Sequence, residues 1–534
     1  MNPPENLSGF SSVVPLPEPG KPSELDGVTS YRQTATRRQI RGSSLLLAGV
    51  FVSRAVNFAT QIIIVRYLSQ EGYGAFAYAL SIVAIFDSLA LFGLDRAITR
   101  FVPIYHEHGE HNKLFGTLIM VIGTILSLSI LIIGVFYGFQ HLILQSFIKD
   151  NLSMGILMIM IFMIPFDALD ELLIGLFAVF SKPSAIFFRK NVLAPGLKLG
   201  VVLLLVLVKS NVYFLTAGFL IAGASGLVIY SFLLFRILRD QGLFSHFNIK
   251  SINMPWREVF SFTIPLLTSE LVYVVMNSMD AVLLARFKTT VDIASFRAVQ
   301  PTAMLNQMVM TSFATLFTPL AARLFARKDR EGINNLYWQT GTWIAVISFP
   351  IFALTFSLSK PITILLYGNR YENSAIILSL LSLGYYFNAA TGFNGLTLKV
   401  YGKLKYIVIL NVATAIANLA INLLLIPRYG ALGAAVGTTT TLLIHNILKQ
   451  TGLRMGTGIN VFDWRYLRTY IIIILASAGL LVTERLFHLS VYFEIALAGL
   501  VSLLVLWLNR HKLDVHQTFP ELLRFPIVRL FFSK

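Results

Sequence analysis

Long apolar stretches alternate with short polar ones from about residue 43 to residue 508, and most of the apolar stretches run 18 residues or more. A run of that length crosses roughly 30 Å of hydrocarbon as a helix, because only a helix satisfies its own backbone in lipid. The pattern predicts fourteen spans, at 43–65, 75–94, 114–137, 152–180, 185–208, 211–235, 258–285, 293–322, 336–358, 374–398, 405–427, 431–448, 466–483 and 489–508. Residues 1–40 are rich in Pro, Ser, Glu and Gly and lack an apolar run, which predicts a disordered tail and not a cleavable signal peptide. Residues 511–534 end in LLRFPIVRLFFSK, the mixture of Arg with Leu, Ile and Phe expected of a basic amphipathic tail on the inner membrane surface.

The longest inner linker, Arg236 to Arg257, divides the spans six and eight. The expected organisation is a six-helix lobe at 41–240, a second at 255–450, and a transmembrane pair at 460–510. A weak internal echo supports the two lobes. VRYLSQEGYGAFAYA (Val65 to Ala79) leaves span 1, ARFKTTVDIASFRAV (Ala285 to Val299) leaves span 7, and each has Phe ten residues after its Arg. Repeated halves with an axis along the membrane normal are a transporter architecture.

Composition agrees. Hydrophobic residues make up 56% of the chain and charged ones 13%, against about 25% charged in soluble domains. The fold class that follows is an all-α polytopic membrane protein. A net charge of +17 would suit a nucleic-acid partner in a soluble protein, but here its distribution gives another reason. Of the 43 Lys and Arg, counting those near span ends with the adjoining loop, 31 fall on the side of the N-terminal tail and nine on the other, and three (Arg54, Lys198 and Arg297) lie deeper within spans. Basic residues collect on cytoplasmic loops, so both termini are expected inside and no nucleic-acid partner is expected. No cysteine occurs, which removes disulfides, thiolate metal sites and cysteine nucleophiles.

Charges inside spans are costly and face a bundle interior or an aqueous cavity. Arg54 on span 1 and Asp87 on span 2 lie at similar depth, as a structural ion pair or as a cationic centre tuned by an acid. Arg297 and Lys198 either snorkel to headgroups or add to a basic interior. In span 4, Asp167, Asp170 and Glu171 share one helix face. That face is either aqueous or paired with the basic ends of spans 2 and 5. Glu270 is the lone mid-depth acid of span 7, a candidate proton or cation coupling site or a buried neutral carboxyl. Asp280 lies further along the same span, near its outer end. Asn418 and Asn422 on span 11, with Thr438 facing them from span 12, are either interhelical amide glue or part of a cation site. At the inner end of span 2, LFGLDRAITRFVP (Leu91 to Pro103) sets Arg96 and Arg100 one turn apart, where both can snorkel to phosphates.

No enzymatic constellation emerges. There is no P-loop, and His106, His108 and His111 sit in a short polar loop that reads as a solvated turn. The longest outer loop, Gly138 to Asn151, is about fourteen residues, too short for the catalytic loop of a membrane glycosyltransferase. No catalytic residues, cofactor or metal are expected.

Several stretches carry a family resemblance: SRAVNFATQIIIVRYLSQEGYGAFAYALSIVAIFDSLALFGLDRAITRFVP, IPLLTSELVYVVMNSMDAVLLARF, LYGNRYENSAIILSLLSLGYYF and LNVATAIANLAINLLLIPRYGALGAAVGT. Together they resemble the oligosaccharide (polysaccharide biosynthesis) flippases of the multidrug/oligosaccharidyl-lipid/polysaccharide exporter superfamily, from about residue 40 to 510. The resemblance implies a two-lobed, V-shaped transporter that turns a lipid-diphosphate-linked oligosaccharide across the bilayer by alternating access. Its implied partners are that polyprenyl-linked cargo, membrane lipids, and the polymerase and glycosyltransferases of the same pathway. By the same resemblance, Arg54 holds the diphosphate with Arg297 as its counterpart in the second lobe, and Arg96 and Arg100 mark the inner mouth. Related lipid II flippases carry a sodium site on spans 7, 11 and 12. Asn418, Asn422 and Thr438 resemble part of it, with an amide at 422 where an acid is expected. The implied coupling is to Na+ or H+. The rival functions are a multidrug cation antiporter and a lipid II flippase of the same superfamily.

Overall fold

The computed structural model describes residues 49–142, 150–180, 186–460, 462–487 and 489–513, and these are helical with no strand among them. The tails expected at 1–40 and beyond Leu513 lie outside the described residues. Among those described, twelve helices are long and apolar enough to cross a membrane, and the pair Asn151–Met160 and Met163–Val179, bent by 40°, makes a further span. The helix Leu404–Thr457 has 54 residues, roughly 80 Å at 1.5 Å per residue, too long for one crossing. It breaks at Gly430, whose φ of 56° and ψ of −133° are not helical. Only glycine adopts that conformation without strain, and Pro427 has already removed a backbone donor one turn earlier. Spans 11 and 12 are therefore separate crossings, and fourteen spans result.

Span 2 is also broken. The helix Gln70–Leu91 stops at Phe92, which is left-handed with φ 53°, and resumes as Leu94–Glu107. The segment expected to end span 2 thus continues as a second, amphipathic helix carrying Asp95, Arg96 and Arg100.

Inside a bilayer, lipid is as apolar as leucine, so helices associate through close van der Waals packing of small residues. Ala75, Ala77 and Ala79 of span 2 are buried this way, as are Ala431, Gly433, Ala434, Ala435 and Gly437 of span 12. Aromatic pairs fill the remaining space. Phe177 stacks on Tyr230 at 4.1 Å within the first lobe, and Phe352 stacks on Tyr386 at 4.0 Å within the second. Polar side chains inside the bundle return hydrogen bonds to their own helix, as Thr216 does to Val212 O and Thr414 to Leu410 O. Leu207 (76% exposed) and Ile130 (68%) lie on the lipid side.

Spans 1–6 form one lobe and spans 7–12 the other; they meet where span 2 packs on spans 7 and 8, and the final pair packs on span 9. The echo between lobes is structural. Ser69 caps the start of span 2 and Thr289 the start of span 8. Phe76 and Phe296, each seven residues after its cap, are both fully buried.

Candidate functional site

With inner and outer named from the topology expected of the sequence, the seam between the lobes is lined on one side by the inner half of span 1. There Arg54, Ala55, Asn57 and Ala59 are exposed. Opposite, span 8 exposes Thr311, Thr315 and Thr318, positions i, i+4 and i+7 on one helix face. A guanidinium, an amide and three hydroxyls exposed at membrane depth would be costly against hydrocarbon, so this face borders an aqueous cavity. Arg54 Nη1 donates to Thr311 Oγ1 at 3.2 Å, across the seam. Asp87, expected at the same depth, does not pair with it. One Asp87 carboxyl oxygen is buried without a hydrogen-bond partner, and the charges that act on it are the span 4 acids Asp167 and Glu171.

Toward the inner end, the resumed helix of span 2 leans on span 7. Arg96 Nη2 donates to Glu270 Oε2 at 2.9 Å, and both side chains are about half exposed. Arg100 lies 4.4 Å over the Phe262 ring, a cation–π contact. Tyr105 donates to Glu258 Oε2 at 2.8 Å. Two residues expected to have separate roles, Arg96 and Glu270, are thus each other's partner.

The outer end is built differently. Arg66 donates to Leu366 O at 2.8 Å and Leu365 O at 2.5 Å, the last carbonyls of the short helix Ser359–Tyr367. In return Arg370 donates to Val65 O at 2.5 Å and Arg66 O at 2.6 Å, the last carbonyls of span 1. Helix C-termini leave carbonyls unsatisfied and carry partial negative charge, so each guanidinium caps the opposite lobe's helix. Beside this clasp Gly74 lies directly on the backbone of Thr290, with no room for a Cβ.

Within the second lobe, spans 7, 11 and 12 bring together a polar cluster. Asn422 Nδ2 donates to Asp280 Oδ1 at 2.7 Å and to Asn418 Oδ1 at 3.2 Å; Thr438 donates to Asp280 Oδ2 at 3.1 Å and Asn418 to Thr441 Oγ1 at 3.2 Å. Asp280, Asn418 and Asn422 are buried, and Asn422 Oδ1 has no hydrogen-bond partner. Asp280 supplies from span 7 the carboxylate that span 11 lacks. An all-oxygen set with one acid and an orphaned acceptor fits a hard cation of low charge.

Arg297 is held inside the same region. It donates to Gln300 Oε1 and Ser81 Oγ, both at 2.8 Å, and to Asn277 O at 3.0 Å, which ties span 8 to span 2. In the first lobe Asp170 pairs with Arg189 at 2.7 Å, with the arginine only 6% exposed. Arg189 lies in the π-helical start of span 5 and also covers the Tyr230 ring at 5.6 Å. Lys198 lies 5.8 Å from the Phe219 ring, within the field of Asp167. Of the two readings of the span 4 acids, Asp170 follows the pairing with span 5. The histidine loop holds no metal cluster among the described residues.

Two further cavities involve the second lobe. One of about 710 Å³, between that lobe and span 13, is walled by Phe352, Phe356, Tyr386, Phe387 and Tyr470 and is almost wholly apolar. The other, of about 280 Å³, mixes polar and apolar side chains and shares Asn418, Thr438 and Thr441 with the Asp280 cluster.

Comparison with known proteins agrees with this architecture. The sequence profile of the polysaccharide biosynthesis protein family matches residues 40–325, and that of the MatE family matches residues 265–424. The capsular polysaccharide biosynthesis protein CapF of Staphylococcus aureus is 22% identical over 75% of this chain and 95% of its own. Stage V sporulation protein B of Bacillus subtilis is 20% identical over 51% of this chain, which spans about half (54%) of that relative's length. The solved structure described as lipid II flippase MurJ in an inward closed conformation superposes with a TM-score of 0.67 at 17% identity, covering 88% of this chain and 99% of that one.

Proposed function

The chain belongs to the polysaccharide biosynthesis protein family, which matches more than half its length, and on that premise we propose that it flips a lipid-diphosphate-linked oligosaccharide across the membrane by ion-coupled alternating access. The observation that carries this reading is Arg54, an exposed guanidinium at mid-membrane depth that reaches over the seam to Thr311. Guanidinium donors match phosphate oxygens bidentately. The diphosphate displaces Thr311 from Arg54, while Arg96 and Arg100 receive the headgroup at the inner mouth. The apolar cavity of the second lobe offers the polyprenyl chain a hydrocarbon surface. Both termini are cytoplasmic, in keeping with the lysine and arginine distribution. Transport runs outward, between the glycosyltransferases that build the repeat unit and the polymerase that joins it.

Coupling is assigned to the Asp280, Asn418, Asn422 and Thr438 cluster, which would hold Na+, or a proton on Asp280. The ion supplies the charge that Asp280 lacks inside the lobe. Glu270, engaged by Arg96, is assigned to the inner seam, and Arg297, with three partners, to holding span 8 on span 2. Asp87, Asp167, Asp170, Glu171 and Lys198 form the charged interior of the first lobe.

The MatE match favours one second reading, export of organic cations. Proteoliposomes separate the two. The proposal expects uptake-independent flipping of a polyprenyl-diphosphate disaccharide and no transport of ethidium; ethidium transport without flipping would overturn it. Arg54→Ala should cut flipping about 10- to 100-fold with insertion intact, the loss expected for charged hydrogen bonds to phosphate.

A further inference from the structure

The smaller cavity of the second lobe has unlike ends. One end reaches Asn418, Thr438 and Thr441, which border the Asp280 cluster; at the other stand His445 and Lys449 of span 12. Eleven residues separate Thr438 from Lys449 along one helix, roughly 16 Å at 1.5 Å per residue. His445 Nε2 is engaged by Asn411 Oδ1 at 3.0 Å. Lys449 makes no hydrogen bond or ion pair among the described residues, and its amine lies against Gly395 of span 10. The nearest charge acting on it is another cation, Lys399. A half-buried ammonium with no acid beside it is costly unless something outside the chain supplies the anion.

The rest of the wall narrows the choice of anion. It carries neutral donors and acceptors, among them Asn277, Gln307 and Asn388, with the rings of Tyr273 and Tyr385, set between apolar side chains such as Val272, Met276 and Leu442. Amides and tyrosine hydroxyls pair with hydroxyl groups, each able to give and accept. No arginine lines this cavity, whereas Arg54, Arg96 and Arg100 stand on the seam. A diphosphate is matched by those forked donors, and a single carboxylate on a hydroxylated ring is matched by one ammonium among amides. A volume of about 280 Å³ is at the small end of ligand pockets, the scale of one or two sugar rings rather than a whole glycan.

We propose that this cavity is a subsite for an acidic sugar of the cargo, with Lys449 pairing a uronic acid carboxylate and the amides and tyrosines taking its ring hydroxyls. The assignment rests on the flippase reading and adds the class of glycan to it.

Two measurements on the full-length protein keep the two ideas separable. Saturation-transfer NMR with free glucuronate and free glucose reads the cavity alone. Glucuronate should give the stronger transfer, Lys449→Gln should abolish the difference, and Lys449→Arg should keep part of it. Equal transfer from both sugars, or a glucuronate signal that survives Lys449→Gln, overturns the subsite. Flipping of a polyprenyl-diphosphate disaccharide ending in glucuronate, compared with its glucose counterpart, reads the function. Lys449→Gln should slow the acidic cargo about tenfold, the loss expected for one charged hydrogen bond, and leave the neutral one unchanged. An equal loss on both cargoes would place Lys449 on the shared diphosphate and overturn the proposal. Failure of the wild type to flip either cargo, with glucuronate still bound selectively, would overturn the flippase reading instead.

Discussion

The two ends of the seam between lobes hold with opposite chemistry. At the outer end the contacts are to backbone: Arg66 and Arg370 each cap the other lobe's helix, and Gly74 sits on Thr290 with no side chain between. At the inner end they are side chain to side chain and reachable by water: Arg96 to Glu270 and Arg100 over Phe262. Backbone positions are fixed by the helices that carry them, so the outer contact closes as a unit. An exposed ion pair is worth about 1 kcal/mol or less, so the inner contacts yield one at a time. The proposed outward transport needs this asymmetry in the resting state. Strain at the outer end should therefore cost more than loss at the inner one.

Gly74→Leu tests that ordering at its strongest point. Forcing a leucine side chain onto the Thr290 backbone costs about 2–3 kcal/mol, the upper part of the overpacking range, enough to shift the closed population tenfold or more. Flipping in proteoliposomes should fall at least tenfold, and a cysteine at Glu71 should label faster from outside; unchanged labelling would mean that the outer seam does not close there.

Asp280→Asn addresses the second lobe, away from both ends. Flipping should lose its dependence on the ion gradient while cargo binding persists. Asn422→Asp should raise cation affinity, since it adds a carboxylate to a buried oxygen set. A gradient dependence that survives Asp280→Asn would remove the cluster from coupling.

The smallest effect belongs to the inner pair. Glu270→Gln and Arg96→Ala should each change flipping by about fivefold or less, and the effect of Glu270→Gln should shrink with added salt. A complete loss of gradient response in Glu270→Gln would return coupling to span 7's mid-depth acid.

Much of this architecture is legible in the sequence because lipid demands long apolar runs, and depth then follows at 1.5 Å per residue. The apolar runs 405–427 and 431–448 divided spans 11 and 12 where the helix Leu404–Thr457 breaks at Gly430. Rotation about each helix axis was not legible. Spans that are apolar on nearly every side have no polar face to orient them. Arg54 and Asp87 read as lying at one depth, yet they point to different neighbours. Asp280 read as an acid near the end of span 7, and only packing against span 11 brings it to Asn422. Arg189 and Lys449 were missed for a related reason. Each lies at a hydropathic boundary, where a basic residue looks like an inner-loop charge: Arg189 near the start of span 5, Lys449 one residue beyond predicted span 12. Helix Leu404–Thr457 instead carries Lys449 onward beside a cavity. The amphipathic continuation Leu94–Glu107 was half visible, through the turn spacing of Arg96 and Arg100.

The central claim is that the two ends of the seam exchange, one opening as the other closes. The chain has no native cysteine, so spin labels can be placed in pairs without background. One pair, Asn57→Cys with Thr315→Cys, reports the inner seam; another, Glu71→Cys with Asn373→Cys, reports the outer. Pulsed electron–electron resonance in nanodiscs, with and without a polyprenyl-diphosphate disaccharide, reads both distances. Cargo should move the two distances in opposite senses in the same molecules. Distances that stay fixed, or that lengthen together, would contradict it.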